Sequence, residues 1–388
     1  MSLPIESPVR PMLARSVATV PDQPGDAAGW VYEPKWDGFR AVVYRDGDDV
    51  RIDSRSCRPM QRYFPEIVEA VLTALPRRCV VDGEIVLARP GADGQDAAHL
   101  DFDSLSQRIH PAESRVRRLA SETPASLVVF DVLALDDDDL TDRPLIERLR
   151  VLDGMELSGP QVHATPRTPD AGTARQWFES FEGAGLDGVV AKPADAPYQP
   201  NKRGWLKIKH ARTADVVLAG LREHKASTAQ RPLVGSLLLG LYRDEAAGPA
   251  SSLQFVGVAA SFSAARRASL YDELAPLVVQ PGTGGAAEHP WADWHDPAVA
   301  DGTAGERRPG AQSRWSAGKD LSFTPLRVER VLEVGYDHME GDRFRHTAQL
   351  KRWRPDRDPS SCTYAQLAEP VGYDLAALLP GAPGTHER

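Results

Sequence analysis

Cysteine is scarce in this chain: Cys57, Cys79 and Cys362 stand far apart, with no C-x-x-C pair. That argues against structural zinc and against a disulfide framework, and it fits a reducing, cytoplasmic setting. The first 16 residues carry prolines and no apolar run, so a secretory signal is not expected. The longest apolar stretch, around Leu233 to Tyr242, is too short to span a bilayer, and no membrane partner is expected. A positive net charge is lacking as well. At −9 the chain looks a poor match for a polyanion. Net charge misleads, however, when the charges are segregated. Acid gathers in stretches such as Asp136 to Asp139, whereas 342–358 holds six Lys/Arg against three Asp. Lys202, Arg203, Lys207, Lys209 and Arg212 form a second basic cluster. Basic patches on an acidic body suit a phosphate-bearing ligand.

What the chain does have is length enough for two domains or three. Trp30-Val31-Tyr32 reads as a short strand, and Phe39 to Tyr44 alternates apolar and polar residues as a second. Between them lies Glu33-Pro34-Lys35-Trp36-Asp37-Gly38, a bend whose glycine permits close backbone approach. A lysine fixed there between two carboxylates can act as a nucleophile once its proton is gone. Taken alone, the Lys-x-Asp-Gly string is equally a surface lysine in a polar hairpin.

Downstream, Asp46 to Asp49 forms a hairpin turn, and a helix opens at Phe64-Pro65 and runs to about Leu75. Cys79 to Ala88 is strand-like, Gly91 to Gln95 is a loop, and Ser104 to Ile109 is a short helix. Leu127 to Leu135 reads as a buried strand interrupted by Asp131. Thr141 is the expected cap of a helix through Leu149, and a further helix spans Ala174 to Glu182. Trp205 to Lys209 alternates strictly, which places Lys207 and Lys209 on one face. After about Arg212 short apolar strands follow, as in a small β-barrel. A Gly/Pro/Ala-rich insertion near 280–318, holding Trp291, Trp294 and Trp315, interrupts them before a frayed C-terminal tail.

Seven segments fall in order: Lys35-x-Asp37-Gly38-x-Arg40, Ser54-Arg55, Asp82-Gly83-Glu84, Phe130-Asp131, Asp187 to Lys192, Lys207-x-Lys209 and Arg354-x-Asp356-Arg357. Together they resemble the covalent nucleotidyltransferases, and within them the ATP-dependent DNA ligases of the compact, stand-alone actinobacterial ligase C type. The resemblance covers nearly the whole chain. It implies an α+β architecture: a mixed α/β nucleotidyltransferase (adenylation) domain over 1–211, then an OB-fold β-barrel domain over 212–388.

The resemblance also implies roles. Lys35 would attack the α-phosphorus of ATP and carry AMP, with Asp37 beside it. Glu33 would accept from the adenine amino group and Phe130 would stack on the base, although plain core packing accounts for Phe130 as well. Glu84 would bind ribose and, with Asp187, a Mg²⁺ or Mn²⁺ ion. Lys207 and Lys209 would hold the α-phosphate, and they, the Mg²⁺ ion and partial desolvation would favour a neutral Lys35 amine. Arg40 and Arg55 would engage both nucleotide and the 5′-phosphate of a nick, with Arg203 a weaker candidate. Arg354 and Arg357 would orient pyrophosphate. Asp187 stands where glutamate is usual, and Cys57 where glycine often follows Ser-Arg.

The implied reaction is nick sealing in duplex DNA through lysyl-AMP, in a monomeric, cytoplasmic, nucleoid-associated bacterial repair enzyme working beside repair polymerases. A chain starting almost at the catalytic domain leaves no room for an N-terminal DNA-encircling domain. The alternatives in the same chemistry are an RNA ligase or a GTP-dependent mRNA capping enzyme. A non-catalytic nick-binding protein is a third.

Overall fold

The structure, a computed structural model, describes residues 1–24, 29–90, 98–157, 159–210, 212–243, 253–279, 288–292, 309, 321–337, 339–367 and 375–385. The chain divides into two compact units, Met1–His210 with Glu369–Arg388, and Ala211–Ala368. The expected division at 211/212 falls beside this boundary, but the tail departs from expectation. Leu375, Leu378, Leu379 and Ala382 are buried in one cluster with Trp36, Val86, Leu100 and Phe181, so this segment completes the first unit. Four apolar side chains withdrawn from water supply a reason for the chain to return there.

The first unit is built on two sheets. One orders the strands Ala14–Val17, Trp205–Ile208, Val189–Pro193 and Trp30–Pro34. The other orders Val162–Ala164, Ser126–Leu135, Arg78–Val86, Phe39–Asp46 and Asp49–Ser54, with Asp138–Asp139 paired at the side. Strand alternation decides what faces what. In the first sheet Tyr32, Val189, Ala191, Leu206 and Ile208 pack on one side, with the helix residues Ala174 and Phe178. Their neighbours Trp205 and Val190 turn to the other side and join Val42, Tyr44, Val80 and Phe130 of the second sheet. The second sheet's far face carries the helices Pro65–Ala74 and Leu145–Gly154 on Val43, Ile52, Val81 and Val129. Asp131, fully buried, meets Arg148 of the latter helix at 2.8 and 2.9 Å. Either partner alone would be an uncompensated buried charge, so the pair fixes the helix on the sheet.

Several local expectations shift. Thr141 does not cap the helix: Pro144 precedes it at Leu145, and the Thr141 hydroxyl instead donates to Asp139. The helix expected over Ser104–Ile109 runs Phe102–Ser106, capped by Asp101, which accepts from the Ser104 amide. Gly91 to Gln95, Trp294 and Trp315 lie outside the described residues. Cys57 adopts φ 60°, the left-handed conformation a glycine takes without strain, and its amide closes the turn on the Ser54 carbonyl at 2.8 Å. Cys57→Gly is therefore expected to raise stability by roughly 0.5–1 kcal/mol, since the strain relieved exceeds glycine's entropy cost. Urea unfolding checks this, and a loss of stability would show the Cys57 side chain to be needed there.

The second unit is a five-stranded antiparallel sheet: Leu253–Ala259, Val234–Tyr242, Arg212–Glu223, Thr324–Tyr336 and Gln349–Trp353. A bridge from Ala259 to Ala348 joins its two edge strands, curling it into a barrel. Trp291, from the expected insertion, is fully buried in the barrel core, its indole N–H donating to the Leu253 carbonyl at 2.9 Å.

Candidate active site

Lys35 follows directly on the strand Trp30–Pro34, and its backbone is pinned on both sides. Its amide donates to the Gly188 carbonyl at 2.8 Å, and its carbonyl accepts from the Asp187 amide at 3.0 Å. The two motif glycines beside it are fixed by close approach. A Cβ on Gly188 would lie 2.0 Å from the Ile208 carbonyl oxygen, and one on Gly38 would lie 2.1 Å from that of Ile85. These contacts carry the Lys35 segment to the Asp187 segment across 152 residues of sequence.

The Asp187 carboxylate is the hub. Its Oδ2 accepts from Lys35 Nζ at 2.8 Å and lies 2.7 Å from Lys209 Nζ. Burial alone would raise the Asp187 carboxyl, but Lys35 and Lys209 hold it far below the usual carboxylate range. The shorter aspartate thus reaches both lysines without difficulty. Without a metal ion the expected neutral Lys35 amine is not reached. Burial does press its amine toward the neutral form, yet Asp187, Asp37 and Glu84 outweigh it and keep the ammonium above its ordinary value. The Lys209 charge, expected to help neutralise Lys35, is engaged by Asp187.

Glu84 lies opposite Arg40 in the strand pair, facing the same cleft. Burial pushes its carboxyl up to about 7, against the pull of Arg40 and Lys35. The folded protein therefore binds this proton more tightly than the unfolded chain does. Stability from this group is present below about pH 4.5 and is lost as pH rises through 7. The loss is on the order of 3 kcal/mol. Denaturant unfolding of the metal-free protein between pH 5 and 8 should show that decline, flattened in Glu84→Gln. An identical slope in the variant would remove Glu84 as its source.

Arg40 is engaged within the protein. Its Nε and Nη2 donate to the fully buried Asp82 at 2.5 and 2.6 Å, and its guanidinium lies over Phe130 and Trp205 at 4.6 and 5.0 Å. Asp82 also accepts from Tyr198 Oη at 2.6 Å. Arg40 is thus held by Asp82 and the two rings in the ligand-free protein. Arg55 and Arg203, by contrast, are exposed, Arg55 on the turn after Asp49–Ser54. Lys207 is half-buried and, by alternation, shares the cleft-facing side of Trp205. Phe130 is 6% exposed and meets Trp205 edge-on at 6.1 Å, so packing and lining of the cleft coincide in it.

Glu33 is 2% exposed and pairs through Oε2 with Lys192 Nζ at 2.7 Å. Burial, more than the Lys192 charge can offset, raises its carboxyl above the ordinary value. Sequence reading placed Lys192 inside a motif without a task. It also passed over Asp82, Tyr198 and Trp205. The signal for Asp82 was in view, two residues before Glu84 on the same strand face. His210 stacks on Phe178 at 3.9 Å, a structural contact.

In the second unit Arg354 gives Nη1 to both Asp215 oxygens at 2.9 and 2.7 Å, and Nε and Nη2 to Asp356. Arg357 Nε lies 3.6 Å from Asp215. The motif is thus internally braced, with Arg357 the more exposed arginine at 35% against 18%.

A buried-sided lysine beside paired carboxylates, further lysines on the facing strand and an appended OB-fold barrel define a covalent nucleotidyltransferase. Residues 11–209 match the family model described as "ATP dependent DNA ligase domain", and residues 230–357 match "ATP dependent DNA ligase C terminal region". The chain belongs to the ATP-dependent DNA ligases. It is 53% identical to DNA ligase C of Mycobacterium tuberculosis, over 98% of this chain and 99% of that relative. It is 54% identical to DNA ligase C2 of Mycolicibacterium smegmatis, over 95% and 97%. Among solved structures, "Pmar-Lig_PreS3" shares the fold at TM-score 0.52 and 14% identity, over 89% of this chain and 68% of that one. The family decides for an ATP-dependent DNA ligase, EC class 6.5.1.1, against the RNA ligase, capping and non-catalytic alternatives.

Proposed function

We propose that this enzyme seals nicks in duplex DNA through AMP carried on Lys35. The observation that supports this most directly is the Asp187 hub, which holds Lys35 and Lys209 within 2.8 Å of one carboxylate oxygen. Lys35 Nζ loses its proton and attacks the α-phosphorus of ATP; a P–N bond forms and pyrophosphate leaves. AMP then passes to a DNA 5′-phosphate, and the 3′-hydroxyl displaces it. Lys207 and Lys209 face the phosphate and stabilise the charge that develops on it. Phe130 lines the base site, Glu33 reads the adenine amino group, Glu84 meets the ribose, and Arg354 and Arg357 orient the leaving pyrophosphate. Arg55 and Arg203, exposed and basic, serve the DNA phosphates; Arg40 orders the cleft through Asp82.

Asp187 and Glu84 offer the hard oxygen donors that Mg²⁺ or Mn²⁺ takes. No cluster of three or more His, Cys, Asp or Glu is preassembled among the described residues. That fits magnesium's habit of using one or two carboxylates together with substrate phosphates. A divalent cation bound there supplies positive charge that offsets the carboxylates holding Lys35 protonated. Work in repair beside a polymerase, as a monomer at the nucleoid, follows from the same reading.

The test is conversion of a 5′-phosphorylated nicked duplex to continuous strand with ATP and Mg²⁺, repeated from 50 to 200 mM salt. Sealing is expected, with nick affinity falling steeply as salt rises because bound counterions are released. Flat binding across that range would deny the basic patches a DNA backbone partner.

A further inference from the structure

Lys192 is 1% exposed, and its ammonium is set among Glu33, Phe130 and Trp205. Its Nζ lies 2.7 Å from Glu33 Oε2 and donates to the Phe130 carbonyl at 3.1 Å. The same ammonium sits 4.4 Å from the centroids of both the Phe130 and Trp205 rings. An ammonium has donors and no acceptor. Whatever faces it must therefore be an acceptor or a π face, and all four neighbours are. The two oxygens of Glu33 are thereby made different. Oε2 is taken by Lys192, while Oε1 is buried and has no hydrogen-bond partner among the described residues. A buried acceptor left without a donor costs free energy until a ligand supplies one.

We propose that Lys192 is the positioning residue for nucleobase selection: by holding Glu33 Oε2 it presents Oε1 as a fixed acceptor for an exocyclic amino group at the purine 6-position. This rests on the reading, given above, that Glu33 faces the base. It goes further in assigning the choice between 6-amino and 6-oxo purines to a residue that touches no nucleotide. A 6-oxo group opposite Oε1 would set acceptor against acceptor. Lys192 forbids relief by rotation, because both Glu33 oxygens are acceptors and Lys192 keeps one of them. The cation also fixes the Phe130 main chain, so the residue that reads the 6-position and the ring beside it share one brace.

One consequence separates this from a merely structural ion pair. In Glu33→Gln the retained Lys192 can donate only to the amide oxygen. The amide NH₂ is then turned toward the base, and the preferred purine changes from a 6-amino to a 6-oxo one.

The experiment measures kcat/KM for label transfer to the protein from ATP, inosine triphosphate and purine riboside triphosphate, which has hydrogen at the 6-position. Wild type, Glu33→Gln and Lys192→Met are compared, with folding checked by circular dichroism. Wild type should favour ATP over purine riboside triphosphate by about tenfold or more, the worth of a hydrogen bond to a charged acceptor. Glu33→Gln should raise the inosine-to-adenosine ratio at least tenfold. Lys192→Met, isosteric and uncharged, should bring ATP and purine riboside triphosphate to within about threefold of each other. If Lys192→Met does not fold, Glu33→Gln decides alone, since it keeps the lysine and its hydrogen bond. Equal losses on all three nucleotides in Glu33→Gln would overturn the proposal, as would an unchanged preference in folded Lys192→Met. Absence of discrimination in wild type would be a different failure: Glu33 would then not read the base at all.

Discussion

Lys35→Ala is expected to take up no label from ATP. Lys35 is the attacking atom in the proposed first step, so its removal eliminates the covalent product rather than slowing its formation. The variant should still fold. Lys35 is 18% exposed at its side chain, and Asp187 keeps its contact with Lys209 at 2.7 Å when Lys35 is cut back. Acid-labile protein–AMP is the quantity to measure, beside a thermal melt. Wild-type labelling of a folded Lys35→Ala protein would transfer the nucleophile to another residue, with Lys209 the neighbour to examine first.

Asp187→Asn ranks second in expected effect. The asparagine is nearly isosteric and can still accept a hydrogen bond, but the charge that gathers Lys35 and Lys209 is gone, and with it a proposed metal ligand. Two consequences oppose each other. Without Asp187 the Lys35 ammonium loses its strongest anionic support, so its pKa falls and more neutral amine is present at a given pH. A one-unit fall gains at most about tenfold in amine. Loss of the carboxylate that places the two lysines and holds the proposed cation at the reacting phosphate costs roughly 10²- to 10³-fold. The loss wins, and label transfer should fall by a net factor of at least ten, while the remaining activity shifts its pH profile to lower pH. Asp187→Glu, with the carboxylate kept and one methylene added, should stay within about tenfold of wild type. Full activity in Asp187→Asn, with an unmoved profile, would reduce Asp187 to a turn residue.

Much of this site could be read in the chain because its parts are short and local. The Lys35 bend, Asp82-Gly83-Glu84 and the Lys207/Lys209 alternation are each set within a few residues, and strand alternation sends them to one face. What sequence did not disclose is who pairs with whom across sheets. Lys192 meets Glu33 because the strands Val189–Pro193 and Trp30–Pro34 are antiparallel neighbours, a register no local pattern encodes. Arg40 was read as a phosphate anchor because its motif is; the buried Asp82 that engages it arrives from the next strand over. The helix Glu113–Glu122 escaped notice for another reason. Only Val116 and Ala120 of it are buried, too few apolar positions to mark a face against five arginines and glutamates. The barrel strands were legible from apolar runs, whereas for Trp291 the Gly/Pro-rich stretch suggested order around its tryptophans without saying where they pack.

Leu375, Leu378, Leu379 and Ala382 complete a cluster with Trp36, next in sequence to Lys35. On the ribosome these four residues emerge only after the whole of Ala211–Ala368 has been made. Until then the first unit lacks part of its apolar lining directly behind the nucleophile segment, and the missing contact spans more than 300 residues of chain. Synthesis thus sets an order of maturation. The second unit, whose strands are contiguous in sequence, can finish folding before the first, and the nascent ligase acquires its last core contacts at the doorstep of Lys35.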